Sequence, residues 1–269
     1  MKNIAFIVNP VAGTKTKNRV SKLIRELLDM ERFSPTVVTI EYTGHATQLA
    51  QQFAAQGYYA VAAVGNDETV SEVASGLRNT DTALAIVPNE ECNNIAKHLD
   101  ISTRTNRAIE MLNSSEAIKV DYCLVNDTPY FGALTIGYGQ TEDTSTSHYL
   151  LKAKGIDIDI MANKLCFANA SLGFQGTHKI SMQDGWIDIL LHHKAATKSI
   201  IEPQLQVSQT PLDNSDSMYI SILRTKEIHL WRESDTTPIY IDGTKTSMPQ
   251  ELDIKLIEDG LKVLVKKRF

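Results

Sequence analysis

The sequence is poor in the features that mark several large classes of protein. Its three cysteines, Cys92, Cys123 and Cys166, form no CxxC pair, which argues against a disulfide framework or a zinc site. No apolar run approaches the roughly 20 residues of a membrane-spanning helix. The run at Ile4–Val8 is too short for the core of a secretory signal. These absences favour a cytoplasmic protein that makes at most peripheral contact with a membrane.

Positive charge is also scarce. Lys and Arg number 27 against 32 Asp and Glu, which gives a formal net charge of −5. This balance disfavours nucleic acid as a partner, because a polyanion is held by a basic surface. A phosphate-bearing partner would therefore need a local site. Glycine, which lets the backbone approach a phosphate closely, makes up only 14 of 269 residues.

Apolar residues form 42% of the chain, and its length favours two unequal packed domains. Over residues 1–122, short apolar runs alternate with helical spacing, which predicts an α/β domain around a parallel sheet. The predicted strands are 4–8, 36–42, 59–64 and 83–87, and the last two predicted helices are 93–98 and 104–112. Three earlier helices are predicted after Lys15, after His45 and around Val70–Leu77.

Residues 123–269 show strand-like alternation with turn signals, which predicts an all-β domain built as an antiparallel sandwich. The turn signals lie at 126–127, 184–185, 242–243 and 259–260. The last of them predicts a hairpin between strands 252–256 and 261–265. The last strands of this second domain are candidates to pack against the first domain.

Ligands of an open α/β sheet bind beyond the carboxyl ends of its strands, so the four loops at these ends form the candidate site. The loops begin at Asn9, Tyr42, Gly65 and Pro88. Each loop alone is a weak signal, and the argument depends on their combination and order.

Together, these loops resemble those of the diacylglycerol kinase and sphingosine kinase-like lipid kinases, and the resemblance runs nearly end to end. The matching positions are Asn9, Pro10 and Gly13 of an Asn-Pro-x-x-Gly turn; Thr43, His45 and Ala46; Gly65, Asp67, Thr69, Glu72 and Val73 of a Gly-Gly-Asp-Gly-Thr segment and its Asn-Glu-Val continuation; and Pro88 and Asn93. The resemblance implies the two-domain fold shared by diacylglycerol kinases and NAD kinases.

The resemblance also implies an ATP- and magnesium-dependent site that phosphorylates a lipid hydroxyl. It assigns nucleotide binding to Asn9, Gly13, Thr43, His45, Gly65, Asp67, Thr69, Glu72 and Asn93, magnesium to Asp184, and catalysis to Asp242 and the position of Thr244. Family members carry an acid at position 244, where it is thought to activate the lipid hydroxyl.

The sequence departs from the family where chemistry is expected. Glu68 and Glu90 stand in place of glycines, Glu91 in place of threonine, and Thr244 in place of the acid. A carboxylate about 4 Å from a phosphate repels it by ~4 kcal/mol at an effective dielectric near 20. Alternatively, these carboxylates simply stabilise helix starts.

Three functions remain open. We favour a catalytically impaired, pseudokinase-like member with a binding or regulatory role, as a homo-oligomer or beside a paralogous kinase, with no cofactor required. The first alternative is an active lipid kinase that uses ATP and Mg, with Asp242 as its base. The second is an NAD kinase-like enzyme, which the opening Asn-Pro-x-x-Gly turn fits less well.

Overall fold

The computed structural model describes residues 1–10, 14–89, 93–137, 146–170, 180–193, 210–211 and 219–267. The chain divides into two compact units, which are treated separately below. Unit 1 comprises Met1–Asp121 with Asp259–Phe269, and unit 2 comprises Tyr122–Glu258. In the described part of the chain, every helix is too short or too polar to cross a membrane.

Unit 1 alternates strands and helices as predicted. In chain order its elements are β1 (Lys2–Val8), α1 (Thr14–Leu27), β2 (Phe33–Thr39), α2 (His45–Ala55), β3 (Ala60–Gly65), α3 (Asp67–Leu77), β4 (Ala83–Pro88), α4 (Asn94–His98) and α5 (Thr105–Leu112). The strands lie in the order β2-β1-β3-β4 and all pair in parallel. Every residue of β3 and β4 is buried, as in sheets covered on both faces.

The second strand begins three residues earlier than predicted. It runs over Phe33–Thr39 and not over 36–42, with Phe33 fully buried. Proline lacks the N–H that a central strand donates to its ladder and is therefore confined mainly to edge strands. Here β2 is the edge strand and pairs only with β1, so Pro35 is tolerated.

The regular elements in the described residues of unit 2 are strands. The remaining elements are β5 (Ser115–Val125), β6 (Thr128–Tyr130), β7 (Ala133–Gly137), β8 (Ser147–Ala153), β9 (Ile156–Ala162), β10 (Lys164–Ala168), β11 (Ile187–His193), β12 (Thr210–Pro211), β13 (Tyr219–Thr225), β14 (Glu227–Arg232), β15 (Ile239–Ile241), β16 (Thr244–Thr246) and β17 (Glu251–Lys266). β5 begins in unit 1, and β17 ends there.

Two antiparallel sheets of unit 2 enclose one apolar core. One sheet has the order β12-β13-β11-β10-β7-β15-β16, and the other joins β14 to β8, β8 to β9, and the first residues of β17 to β14. Phe167 and Leu134 of the first sheet share a buried cluster with Tyr149 and Leu230 of the second. The predicted sandwich is therefore confirmed.

Two of the predicted turns join neighbouring strands. Asn126 and Asp127, with φ of 44° and 67°, join β5 to β6, and Asp242 and Gly243, with φ of 48° and 88°, join β15 to β16. Positive φ at both central positions gives the twist that antiparallel strands need.

The hairpin predicted at residues 258–260 is wrong, because β17 runs unbroken through them. Its first residues pair antiparallel with β14, and Val263 pairs parallel with Leu84 of β4. Asp259 keeps a positive φ of 53°, and its N–H donates to Asp121 Oδ1 at 2.9 Å. The Asp-Gly signal is local, whereas the partners of β17 are distant in sequence.

Candidate functional site

The predicted nucleotide-binding residues of unit 1 lie where strands end and helices begin. Asn9 follows β1, Thr43 and His45 lie at the start of α2, Gly65 ends β3, Asp67, Thr69 and Glu72 lie on α3, and Asn93 precedes α4. Parallel strands end at one edge of a sheet, which gathers these loops. The predicted position Gly13 and the substituted positions Glu90 and Glu91 lie outside the described residues.

Asn9 and Thr69 are bound to each other. Asn9 Nδ2 donates to Thr69 Oγ1 at 2.9 Å, and Thr69 Oγ1 donates to Asn66 Oδ1 at 3.0 Å. Asn66 also caps α3 by accepting from the N–H of Thr69 at 3.1 Å. A Cβ on Gly65 would lie 2.5 Å from Thr69 Oγ1, so this position excludes any side chain.

Asn93 is fully buried and joins the third and fourth loops. Its Oδ1 accepts from the N–H of Ala96 at 2.8 Å, which caps α4. Its Nδ2 donates to the carbonyl oxygen of Gly65 at 3.3 Å. Both polar atoms of the amide are therefore used within the protein.

Asp67 is held by the first residues of α4. Its Oδ2 accepts from the N–H and from the Nδ2 of Asn94 at 3.0 and 3.1 Å, and its Oδ1 accepts from the N–H of Ile95 at 3.1 Å. A carboxylate is favourable there because the first N–H groups of a helix carry partial positive charge. The neighbouring Glu68 is exposed in the first turn of α3.

The second loop is held by Glu72 and by a ring stack. Glu72 Oε1 accepts from the N–H of Gly44 at 3.3 Å, while its Oε2 is buried without a partner among the described residues. His45 Nδ1 accepts from the N–H of Glu41 at 3.1 Å, and the ring stacks on Tyr42 at 4.5 Å. Thr43 is exposed.

In unit 2, Asp242 binds the backbone of a neighbouring turn. Its Oδ2 accepts from the N–H of Phe131 at 2.9 Å, and its Oδ1 accepts from the N–H groups of Gly132 and Ala133 at 2.7 and 3.0 Å. These bonds fasten the turn between β15 and β16 to the start of β7. Thr244, two residues further along, is exposed.

Asp184 is paired with an arginine. Arg224 Nη2 donates to Asp184 Oδ2 at 3.1 Å, and Arg224 Nε donates to the fully buried Asp188 at 2.7 Å. Burial alone would lower the pKa of Arg224, but hydrogen bonds and charge from Asp188 and Asp184 raise it overall. The described residues contain no group of three or more His, Cys, Asp or Glu that could hold a metal. Asp184 thus forms an ion pair with a cationic side chain in this structure.

Sequence reasoning missed the partners of these acids. Asn94 stands next to the predicted Asn93, so its amide could have been considered as a partner for a nearby carboxylate. Arg224 carries no comparable signal, because its pairing with Asp184 joins residues 40 positions apart.

The fold has the two-domain architecture found in diacylglycerol kinases and NAD kinases. Residues 3–125 match the diacylglycerol kinase catalytic domain. Over this region, a little less than half of the chain, the sequence is similar to the diacylglycerol kinase-like lipid kinases, which is the resemblance that its loops predict. An uncharacterized Synechocystis protein is 26% identical over 264 residues, which cover 80% of this chain and 60% of that protein. A diacylglycerol kinase of Staphylococcus saprophyticus is 27% identical over 54% of this chain and 47% of its own length. The chain thus spans about half the length of such relatives.

Solved structures share the fold. A diacylglycerol kinase from Bacillus anthracis superposes with a TM-score of 0.77 at 20% identity, over 98% of this chain and 97% of that one. An NAD kinase from Archaeoglobus fulgidus, in complex with ATP, gives 0.56 at 12% identity, over 98% of this chain and 94% of that one. Both likenesses establish architecture alone, and the first is the stronger.

Proposed function

We propose that this chain is a catalytically impaired lipid kinase relative that acts by binding a ligand or a partner. One observation carries the proposal: each of the three aspartates given catalytic-site roles is already held by other groups. Asp67 is held by the start of α4, Asp184 by Arg224, and Asp242 by three backbone N–H groups.

Phosphoryl transfer requires carboxylates that ligate the metal and a group that accepts the hydroxyl proton. A lone pair that accepts a hydrogen bond serves a metal or a substrate only after that bond breaks. Thr244 offers no substitute, because a hydroxyl is not a base near neutral pH. The three aspartates that are already bound and the threonine at position 244 thus support impaired catalysis independently of each other.

The first test is thermal unfolding with and without Mg-ATP. A ligand present at 100 times its dissociation constant adds about 2.7 kcal/mol of stability. We expect no shift, and no transfer of label from radioactive ATP to a mixed lipid extract, with the Bacillus anthracis protein assayed alongside. A shift with label transfer would contradict the proposal and support the active ATP- and Mg-dependent lipid kinase. Formation of NADP from NAD in the same assay would support the NAD kinase-like alternative.

The second test restores the family residues. The double variant Thr244→Glu, Glu90→Gly supplies the acid and removes a carboxylate from the fourth loop. We expect it to transfer label from radioactive ATP to the lipid extract, because Glu90→Gly relieves repulsion of the nucleotide and Thr244→Glu supplies the acid that accepts the hydroxyl proton. The matched control is the double variant Thr246→Glu, Glu90→Gly, which adds the same charge to the same short strand. An equal gain in the control would show that position 244 has no special role.

The proposed ligands are a lipid or another small molecule, and the proposed partners are a second copy or a paralogous kinase. Among the described residues neither Cys123 nor Cys166 forms a disulfide, which supports placement in the cytoplasm. A paralogue whose activity rises when this chain is added would support the regulatory role.

A further inference from the structure

Unit 1 contains a pocket of about 430 Å³ that no predicted site residue lines. Its walls come from three segments: Arg19 and Leu23 on α1, Asn89 directly after β4, and residues 103–106 at the start of α5. The volume lies within the range of about 300–1,000 Å³ that small-molecule sites occupy. The pocket can therefore take a compact ligand.

Among the described residues that line the pocket, the charged side chains are those of Arg19 and Arg104, and both are positive. The guanidinium groups of Arg19 and Arg104 have no partner among the described residues, whereas Arg107 pairs with Glu110 at 3.0 Å and Arg224 pairs with Asp188 at 2.7 Å. An anion inside the cavity would be attracted by both guanidinium groups. The positive charge at this pocket is opposite in sign to the net charge of the chain, which is −5.

The start of α5 adds hydrogen-bond donors to the same pocket. The first N–H groups of a helix have no partner within the helix and carry partial positive charge. Arg104 precedes α5 without making a capping hydrogen bond. The hydroxyl of Thr105 donates to the carbonyl oxygen of Pro88 at 2.8 Å, which fixes this helix start against the end of β4.

We propose that this pocket binds a phosphate monoester through Arg19 and Arg104. The planar guanidinium matches the geometry of phosphate oxygens and donates two hydrogen bonds to them. A phosphate monoester carries a charge of roughly −2 near neutral pH, which balances both arginines. Leu23 offers an apolar contact, and Asn89 and Thr103 offer neutral polar groups to the rest of the ligand. The inference does not depend on whether the chain transfers phosphate from ATP.

Titration calorimetry with glycerol 3-phosphate and with inorganic phosphate tests the proposal. We expect saturable binding, with glycerol 3-phosphate the tighter ligand. Arg19→Gln and Arg104→Gln should each weaken binding about ten- to hundredfold, as expected for a lost hydrogen bond to a charged group. The matched controls are Arg25→Gln on α1 and Arg107→Gln on α5, which remove the same charge from the same helices outside the pocket walls.

A lipid headgroup presents the same chemistry, so a second arm uses phosphatidylcholine vesicles with and without phosphatidic acid. Binding of free glycerol 3-phosphate that needs Arg19 and Arg104 supports a soluble ester. Sedimentation with vesicles that contain phosphatidic acid, without binding of free glycerol 3-phosphate and again dependent on both arginines, supports a lipid headgroup. The proposal is overturned if neither probe binds at millimolar concentration, or if the control variants weaken binding as much as the pocket variants. None of these readouts uses ATP, so this failure is separable from failure of the proposed function.

Discussion

The two units differ in the polar groups that they bury. The described buried polar residues of unit 1 are neutral, Thr69, Thr82, Asn93, Thr105 and Ser115, apart from Asp121. Unit 2 buries the charged or ionisable groups Asp188, His193 and Arg232. In unit 1 the fully buried amide of Asn93 joins two loops, and the carboxylates that also hold the loops, Asp67 and Glu72, are only partly buried. In unit 2 buried charged or ionisable side chains bind across neighbouring strands, as Asp188 binds Arg224, or bind backbone carbonyls, as Arg232 does.

Because a buried charged group is costly to leave without partners, unit 2 should be the more sensitive to substitution and to pH. The two units can be followed separately. Trp186 and Trp231, the only tryptophans of the chain, belong to unit 2, so their fluorescence reports on it. All described helices belong to unit 1, so the helical circular dichroism signal reports on that unit.

The largest effect is expected for Arg232→Met. Arg232 is 1% exposed and donates to the carbonyl oxygens of Thr237 at 2.8 Å, of Pro249 at 3.1 Å and of Met248. Its loss would leave buried carbonyls without partners and should lower the free energy of unfolding of unit 2 by about 3–4 kcal/mol. Denaturant unfolding followed by tryptophan fluorescence measures this loss.

The control is Arg25→Met, which removes an exposed arginine from α1 and should change stability by less than about 0.5 kcal/mol. A loss below about 1 kcal/mol in Arg232→Met would contradict the contrast between the two units.

The second effect is a loss of stability in acid, caused by His192. Burial, followed by the charges of Lys164 and His193, lowers the pKa of His192 to about 4. The unfolded chain has a pKa near 6.5, so it binds the proton first as pH falls. The stability from a neutral His192 is therefore complete above pH 6.5 and is lost between 6.5 and about 4. We expect a decline of about 2–3 kcal/mol in unit 2, since a shift of one pKa unit corresponds to about 1.36 kcal/mol.

His192→Gln should flatten this decline, measured as the difference in unfolding free energy between pH 7 and pH 4.5. His229→Gln, which changes a more exposed histidine on β14, should leave the decline in place. Equal pH profiles for the wild type and His192→Gln would rule out this histidine as the cause.

Much of the fold follows from local pattern. Continuous apolar runs predict the buried strands β3 and β4, and alternation with turn signals predicts the sandwich. Local pattern fails where distant partners decide, as at Gly260, which lies inside β17 because its neighbours pair with β14 and β4. Pro35 is accepted only because β2 lies at an edge, which no local signal indicates.

The site divides in the same way. The residue types at strand ends predict which loops gather polar side chains, since that depends on the order of strands and helices. What each side chain binds depends on contacts across long separations, such as the 27 positions between Asp67 and Asn94. A motif identifies an aspartate, but it does not indicate whether the carboxylate binds a ligand or the start of a helix.

The third effect concerns Asp242→Asn in unit 2. The amide would keep one acceptor oxygen and turn an NH₂ group toward one of the N–H groups of Phe131, Gly132 and Ala133. We expect a loss of about 2–3 kcal/mol by tryptophan fluorescence, because one buried N–H loses its partner. Thr244→Ala, at an exposed position of the same hairpin, should be nearly neutral. If Asp242→Asn were neutral as well, the carboxylate would be free for another role, and the proposed loss of catalysis would lose one of its three supports.

The smallest effect is expected for Asp67→Asn, the equivalent change in unit 1. The amide still accepts one of the hydrogen bonds from Asn94 or Ile95, but the negative charge at the start of α4 is gone. Charge at a helix start contributes about 0.3–1 kcal/mol, so the total loss should be about 1–2 kcal/mol by circular dichroism. Hydrogen exchange should quicken at Asn94 and Ile95, while Glu68→Gln, at an exposed position, leaves exchange there unchanged. If Asp67→Asn instead left exchange unaltered and abolished a thermal shift with Mg-ATP, Asp67 would contact nucleotide. Unit 1 would then keep a functional nucleotide-binding loop, although the acids of unit 2 remain bound by other groups.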